Sequence, residues 1–184
     1  MSTLPPDAGT ILLPIARAAI AEQLGESAPE PDRTAPFLAA DGACFVTLHT
    51  NGHLRGCIGT IEPHRSLGED VAENAIAAAF RDPRFQPLAR AEYPDMVLEV
   101  SVLSPREEIR FADRADAYAQ IRPGIDGILF TAGFHRATFL PQVWAQMATV
   151  EEFMGALLRK AGLTHDYWSD GVKLERYTVE SFEE

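Results

Sequence analysis

Asn51-Gly52 is the feature that most restricts this chain, because it stands between two runs of strand-forming residues. Both residues tolerate the positive φ that a type I′ hairpin turn demands at its two central positions. Ala43 to Thr50 is rich in aromatic and β-branched residues and reads as a strand. His53 to Ile61 then returns antiparallel. In the regular register Cys57 lies opposite Val46, Arg55 opposite Leu48 and Cys44 opposite Gly59. The two cysteines become diagonal neighbours, roughly 7–8 Å apart. Arg55 and Cys57 share a face, because strand side chains alternate. Gly56 and Gly59 either loosen this register or mark a bulge.

The rest of the chain alternates helices with short strands. Thr10 is placed to cap a helix over Ile11 to Leu24, with Pro14 in the first turn and Gly25 at the end. Residues 1–10 read as a tail. Glu26 to Pro36 is a proline-bearing connection. Ser66-Leu67-Gly68-Glu69 is a capping box that opens a helix to about Arg81, stopped by Asp82-Pro83. Met96 to Ser104 alternates cleanly, with Glu99 and Ser101 pointing away from Leu98 and Val100. Asp113 to Ile121 is a short helix. Ile125 to Ala132 and Ala137 to Leu140 form a second hairpin around Gly133-Phe134-His135-Arg136. Thr149 with Glu152 caps a helix to about Ala161, and Leu174 to Phe182 reads as a final strand. This order indicates an α+β fold with a largely antiparallel β-sheet packed with helices.

Charge and composition exclude several classes of function. The formal charge of −11, with no Lys/Arg-rich run, disfavours nucleic acid. No apolar run approaches a membrane span, and the N-terminus carries no secretory signal pattern, so a cytoplasmic protein is expected. The two cysteines do not make a disulfide framework. The five histidines lack ligand spacing beyond His49/His53 and His53/Cys57, so no metal site is expected. There is no phosphate-loop or dinucleotide signature, and the cofactor is left unknown. Trp144, Trp168 and Phe153 read as core.

Leu54-Arg55-Gly56-Cys57-Ile58-Gly59 resembles the signature hexapeptide of the AMMECR domain family, also called AmmeMemoRadiSam system protein A. Asp82-Pro83-Arg84-Phe85-x-Pro87, Glu99-Val100-Ser101-Val102-Leu103-Ser104, Gly124-x-x-Gly127, Leu140-Pro141-Gln142-Val143 and Lys160-Ala161-Gly162-Leu163 resemble its later motifs in the same order. Coverage runs from about Ile11 to Phe182. The resemblance implies a single domain over 11–182, with a larger lobe, a smaller lobe within about 105–147, and a cleft near the hexapeptide. It also implies a shared pathway or complex with a Memo-like protein and a radical SAM protein. The family has no settled activity.

Within that frame two roles are open for Cys57. As a nucleophile it needs the thiolate, which a neighbouring cation favours, and Arg55 is the nearest in sequence. As a small apolar residue it is simply buried. Glu99 is the candidate general base, with a salt bridge as its alternative role. His53 lies too far along its strand, and His64 would have to fold back. Arg55 suits a substrate carboxylate or phosphate, or else an ion pair. Asp82 and Arg84 either line the cleft or cap a helix end and pin Phe85 and Pro87. Gly56 and Gly59 admit a ligand to the backbone or admit another segment of chain. Gln142 is placed to hydrogen-bond a ligand or the backbone. The competing expectations are a cysteine-dependent small-molecule enzyme and a non-catalytic module that docks a partner.

Overall fold

The structure, a computed structural model, describes residues 4–184. It is α+β, with two four-stranded sheets. The chain divides into two compact units: residues up to Leu103 together with Glu180–Glu184, and Ser104–Val179.

The first unit holds helices α1 (Gly9–Leu24) and α2 (Leu67–Phe80) and strands β1 (Cys44–Thr50), β2 (His53–Gly59) and β3 (Met96–Leu103). Its sheet is completed by the last strand of the chain, β8 (Val179–Glu183), in the order β2-β1-β3-β8. Strands β1 and β3 send alternate residues inward. Val46, Leu48, Leu98 and Val100 are fully buried, and they share one core with Leu12, Ile15, Ile20, Val71 and Ala75 from the two helices. Each such aliphatic side chain contributes about 1.5–3 kcal/mol relative to exposure. The alanines of α2 give it a flat side for close packing on the sheet.

The capping box at Ser66 and Glu69 forms as its sequence requires. The start of α1 differs from expectation. The helix begins at Gly9, inside the stretch read as a tail, and Ala8 occupies the cap position without a side-chain bond. Thr10 uses its hydroxyl to donate to the Asp7 carbonyl instead. The outermost residues of that expected tail, 1–3, lie outside the described residues.

The second unit contains β4 (Glu107–Ile109), α3 (Arg114–Ala119), β5 (Gly127–Ala132), β6 (His135–Phe139), α4 (Val150–Lys160) and β7 (Val172–Tyr177), with sheet order β4-β7-β5-β6. Its core gathers Ile128, Phe130, Phe153, Leu157 and Leu174. Trp144 stacks on Phe153 at 3.9 Å, so both rings belong to this core. Strand β4 carries too few residues to register in the sequence pattern. The single final strand expected over 174–182 is two strands, broken at Thr178, and they join different sheets. Period-two alternation runs unbroken through such a crossing, so it cannot reveal it.

Candidate functional site

The first hairpin turns as expected, with Asn51 at φ 52° and Gly52 at φ 74°. The regular register holds for only two pairs, Thr50 with His53 and His49 with Leu54. A bulge follows. Leu48 pairs with Gly56, and Arg55 is left without a cross-strand partner. From there Cys57 lies opposite Thr47, not Val46, and Phe45 lies opposite Gly59. A slip of one residue moves a strand's side chains to the other face of the sheet. Cys57 therefore leaves the core face, and Gly56 takes the inward slot. A Cβ on Gly56 would stand 2.1 Å from the Ala78 carbonyl oxygen of α2, so only glycine fits. At Gly59 the corresponding space is filled by the Phe45 ring at 2.2 Å. The space at both glycines thus goes to neighbouring protein.

The two cysteines accordingly face opposite ways. Cys44 is fully buried on the core side. Burial, and then the charge of Asp70, push its thiol well above the ordinary range. Asp70 is itself buried and bridges Cys44 N–H, Thr60, Arg65 and Asn74. Cys57 is half-buried on the outer face. Its sulfur accepts a hydrogen bond from the Thr47 hydroxyl at 3.1 Å. Thr47 lies opposite Glu99 on its other side, so Cys57, Thr47 and Glu99 form one row across three strands. Neighbouring strands are about 4.8 Å apart, which puts the Glu99 backbone about 10 Å from that of Cys57. Glu99 Oε1 accepts from the Ser101 hydroxyl at 2.9 Å.

β2 is an edge strand, and at Cys57 its edge is closed by side chains. Asp82 Oδ2 accepts the Cys57 N–H at 2.9 Å, and Arg84 Nη2 donates to the Cys57 carbonyl at 3.3 Å. Together they imitate a further strand. Asp82 is buried, and Arg84 grips its carboxylate through Nε at 3.0 Å and Nη2 at 2.6 Å. The Arg84 bond is the main reason the Asp82 carboxyl is held far below the usual carboxylate range, with the Cys57 N–H adding to it. The Arg84 guanidinium is raised in turn, chiefly by Asp82 and in part by the nearby Cys57 sulfur.

Arg55 is committed elsewhere. Its Nε and Nη2 donate to Glu92 at 2.7 and 3.1 Å, and Nη2 also reaches the Pro87 carbonyl at 3.4 Å. The Arg55 pair and the Ala89 N–H lower the Glu92 carboxyl. Arg55 Nη1 is buried with no hydrogen-bond partner among the described residues. Arg55 and Arg84 both lie over the Phe85 ring, at 5.9 and 5.4 Å. The cation bonded to the Cys57 backbone is thus Arg84, whose side chain is 55% exposed. Thr47 was missed in the sequence because the regular register gave it no contact with Cys57. His53 and His64 are exposed, and His64 Nδ1 lies 3.1 Å from the Glu62 carbonyl. Gln142 is exposed and belongs to the second unit.

The AMMECR1 family model matches residues 13–182. The chain belongs to the AMMECR1 family. It is 39% identical to a protein of Methanocaldococcus jannaschii over 194 residues, covering 100% of this chain and 94% of that one. It is 40% identical to a protein of Thermotoga maritima over 158 residues, covering 83% and 85%. The crystal structure of an uncharacterized protein from Pyrococcus horikoshii superposes with a TM-score of 0.83 at 36% identity, covering 98% of this chain and 93% of that one. The expected family and α+β fold both hold. Among the described residues no helix is long and apolar enough to cross a membrane, and no group of three or more His, Cys, Asp or Glu is arranged to hold a metal ion.

Proposed function

We propose that this AMMECR1 protein is a cysteine-dependent enzyme acting on a small anionic molecule at the outer face of the first sheet. The observation that carries the reading is the setting of Cys57. Its sulfur receives the Thr47 hydroxyl at 3.1 Å, while Asp82 and Arg84 hold its backbone. In this reading Cys57 is the nucleophile, and Thr47 donates to the sulfur as it becomes a thiolate. Arg84 serves as the binding cation for a substrate carboxylate or phosphate: both arginines are paired, but the Arg84 side chain is 55% exposed and that of Arg55 only 15%. Arg55 is held by Glu92 and the Pro87 carbonyl and supports the strand rather than the substrate. At about 10 Å from Cys57 along the row, Glu99 acts on the substrate rather than on the thiol, since a general base works at hydrogen-bond distance or through one water. Gly56 and Gly59 shape the strand, and Gln142 is not needed.

Alkylation by iodoacetamide tests the reading. Cys57 is expected to react in the folded protein, with Thr47→Val and Arg84→Gln each slowing the reaction at a fixed pH. Modification of Cys57 only at the rate of global unfolding would overturn it.

A second reading is favoured by one observation beside the site. Leu54 and Val97 flank His49 in the adjacent cross-strand row and are 41% and 36% exposed. Two exposed apolar side chains flanking a histidine suit docking of a protein, such as a Memo-like or radical SAM partner. Cys57→Ala retaining function while Leu54→Asp abolishes it would favour docking over catalysis.

A further inference from the structure

A pocket of about 580 Å³ lies in the second unit between α3 and the first turn of α4, lined by Arg114, Ala115, Tyr118, Ala119, Val150 and Glu151. That volume is within the range of small-molecule sites. Ala115, Ala119 and Val150 form an apolar wall, Arg114 supplies a cation and Glu151 an anion. These opposite charges line one pocket, yet among the described residues they do not pair with each other. Arg114 Nη1 donates to the Asp166 carbonyl at 3.2 Å, and the Asp166 carboxyl feels its charge without forming an ion pair.

Tyr118 is 7% exposed, and its hydroxyl is buried with no hydrogen-bond partner among the described residues. A buried hydroxyl left in this state costs free energy, and native structures keep few of them. The Arg114 guanidinium lies over the Tyr118 ring, 5.1 Å from its centre, without bonding the hydroxyl. Burial is the main reason the phenol is raised above its ordinary range, so it remains a donor at neutral pH; Arg114 opposes the shift and Glu151 adds to it. Both charges therefore act on the same oxygen. Two further donors adjoin. Thr149 accepts the Glu152 N–H at the start of α4, which leaves those of Val150 and Glu151 without an intrahelical acceptor.

We propose that this pocket binds a free α-amino acid with an apolar side chain. Its carboxylate accepts from Arg114, from the Tyr118 hydroxyl and from the N–H groups that open α4, where the helix dipole also favours an anion. Its ammonium donates to the Glu151 carboxylate, and its side chain packs on Ala115, Ala119 and Val150. The unpaired charges on the lining select a zwitterion, since a simple anion would meet Glu151 and a simple cation would meet Arg114. Arg114 swings from the tyrosine ring onto the ligand, which uncovers the hydroxyl for the same carboxylate.

Isothermal titration calorimetry of the full chain with L-leucine, L-methionine and L-phenylalanine tests this. At least one is expected to bind, at one site per chain. The amide of the amino acid that binds best, and its deaminated acid, should each bind tenfold or more weakly by comparison. Tyr118→Phe removes a single oxygen and should weaken binding about tenfold, with the thermal midpoint held or raised because no bond within the protein is lost. Arg114→Gln should weaken binding further. Glu151→Gln should weaken the amino acid and strengthen the deaminated acid. Absence of binding by all three amino acids overturns the proposal. So does a deaminated acid that binds as tightly as its amino acid, since the pocket then takes any carboxylate. Binding unchanged in both Tyr118→Phe and Arg114→Gln puts the ligand elsewhere and also overturns it.

Discussion

The hairpin β1–β2 turns at Asn51-Gly52 and the hairpin β5–β6 turns at Gly133-Phe134, each through two residues. In the second hairpin the register runs unbroken from Ala132–His135 to Ile128–Phe139. Its strand β5 is buried on both faces, with Ile128, Leu129 and Phe130 at 3% exposure or less. In the first hairpin β1 alternates buried and half-buried residues, and its partner β2 carries a bulge. A strand covered on both sides uses all its side chains for packing. A strand with one open face has a row to spare, and the bulge decides which residues of β2 occupy it. The candidate site belongs to the first hairpin for that reason.

The sharpest way to break this contrast is Gly56→Ala. The new methyl would meet the Ala78 backbone, which cannot rotate aside, so a loss of about 3 kcal/mol or more is expected in urea denaturation. Removing the Arg55 side chain comes next. Arg55→Met leaves the partly buried Glu92 without its partner and should cost about 2 kcal/mol, read from the same curves.

Asp82→Asn tests the closed strand edge, with an expected loss of about 1.5 kcal/mol at neutral pH. The folded Asp82 carboxyl is held below its unfolded value of about 3.9. Its contribution is therefore complete above about pH 4 and is lost as pH falls through the folded value. The gap between wild type and Asp82→Asn should narrow in acid.

Cys44 gives the opposite sign at the other end of the scale. Its folded thiol is raised, so its contribution is whole below the unfolded value of about 8.5 and fades as pH rises. Relative to Cys44→Ala, the wild type should lose about 0.8 kcal/mol between pH 7 and pH 9. The smallest effect is reserved for the second hairpin: Phe134→Ser should change stability by less than about 0.5 kcal/mol in a thermal melt.

Much of the fold was legible in local chemistry. Asn51-Gly52 and Gly133 mark turns because few residues accept positive φ. Ser66 and Thr149 mark helix starts because a side-chain oxygen there meets an orphan N–H, and both do so here. The alternation in Met96–Leu103 identified a strand with one face inward. Thr10 misled because Ser and Thr also close local turns, as it does with Asp7. The site was legible only as a set of residues. Cys57, Arg55, Asp82, Arg84 and Glu99 stand out in the chain, but their partners do not.

The sequence by itself determined the turns, the helix caps, the inward face of β3 and the family. Tertiary structure decided which way the thiol of Cys57 points and which guanidinium attends it. Local signals reach a few residues, whereas the bulge is set by a helix carbonyl pressing on Gly56, and the contacts Arg55–Glu92 and Cys57–Asp82 span 37 and 25 residues. Two registers of β2 satisfy the same turn, and only the packing of α2 against the sheet separates them.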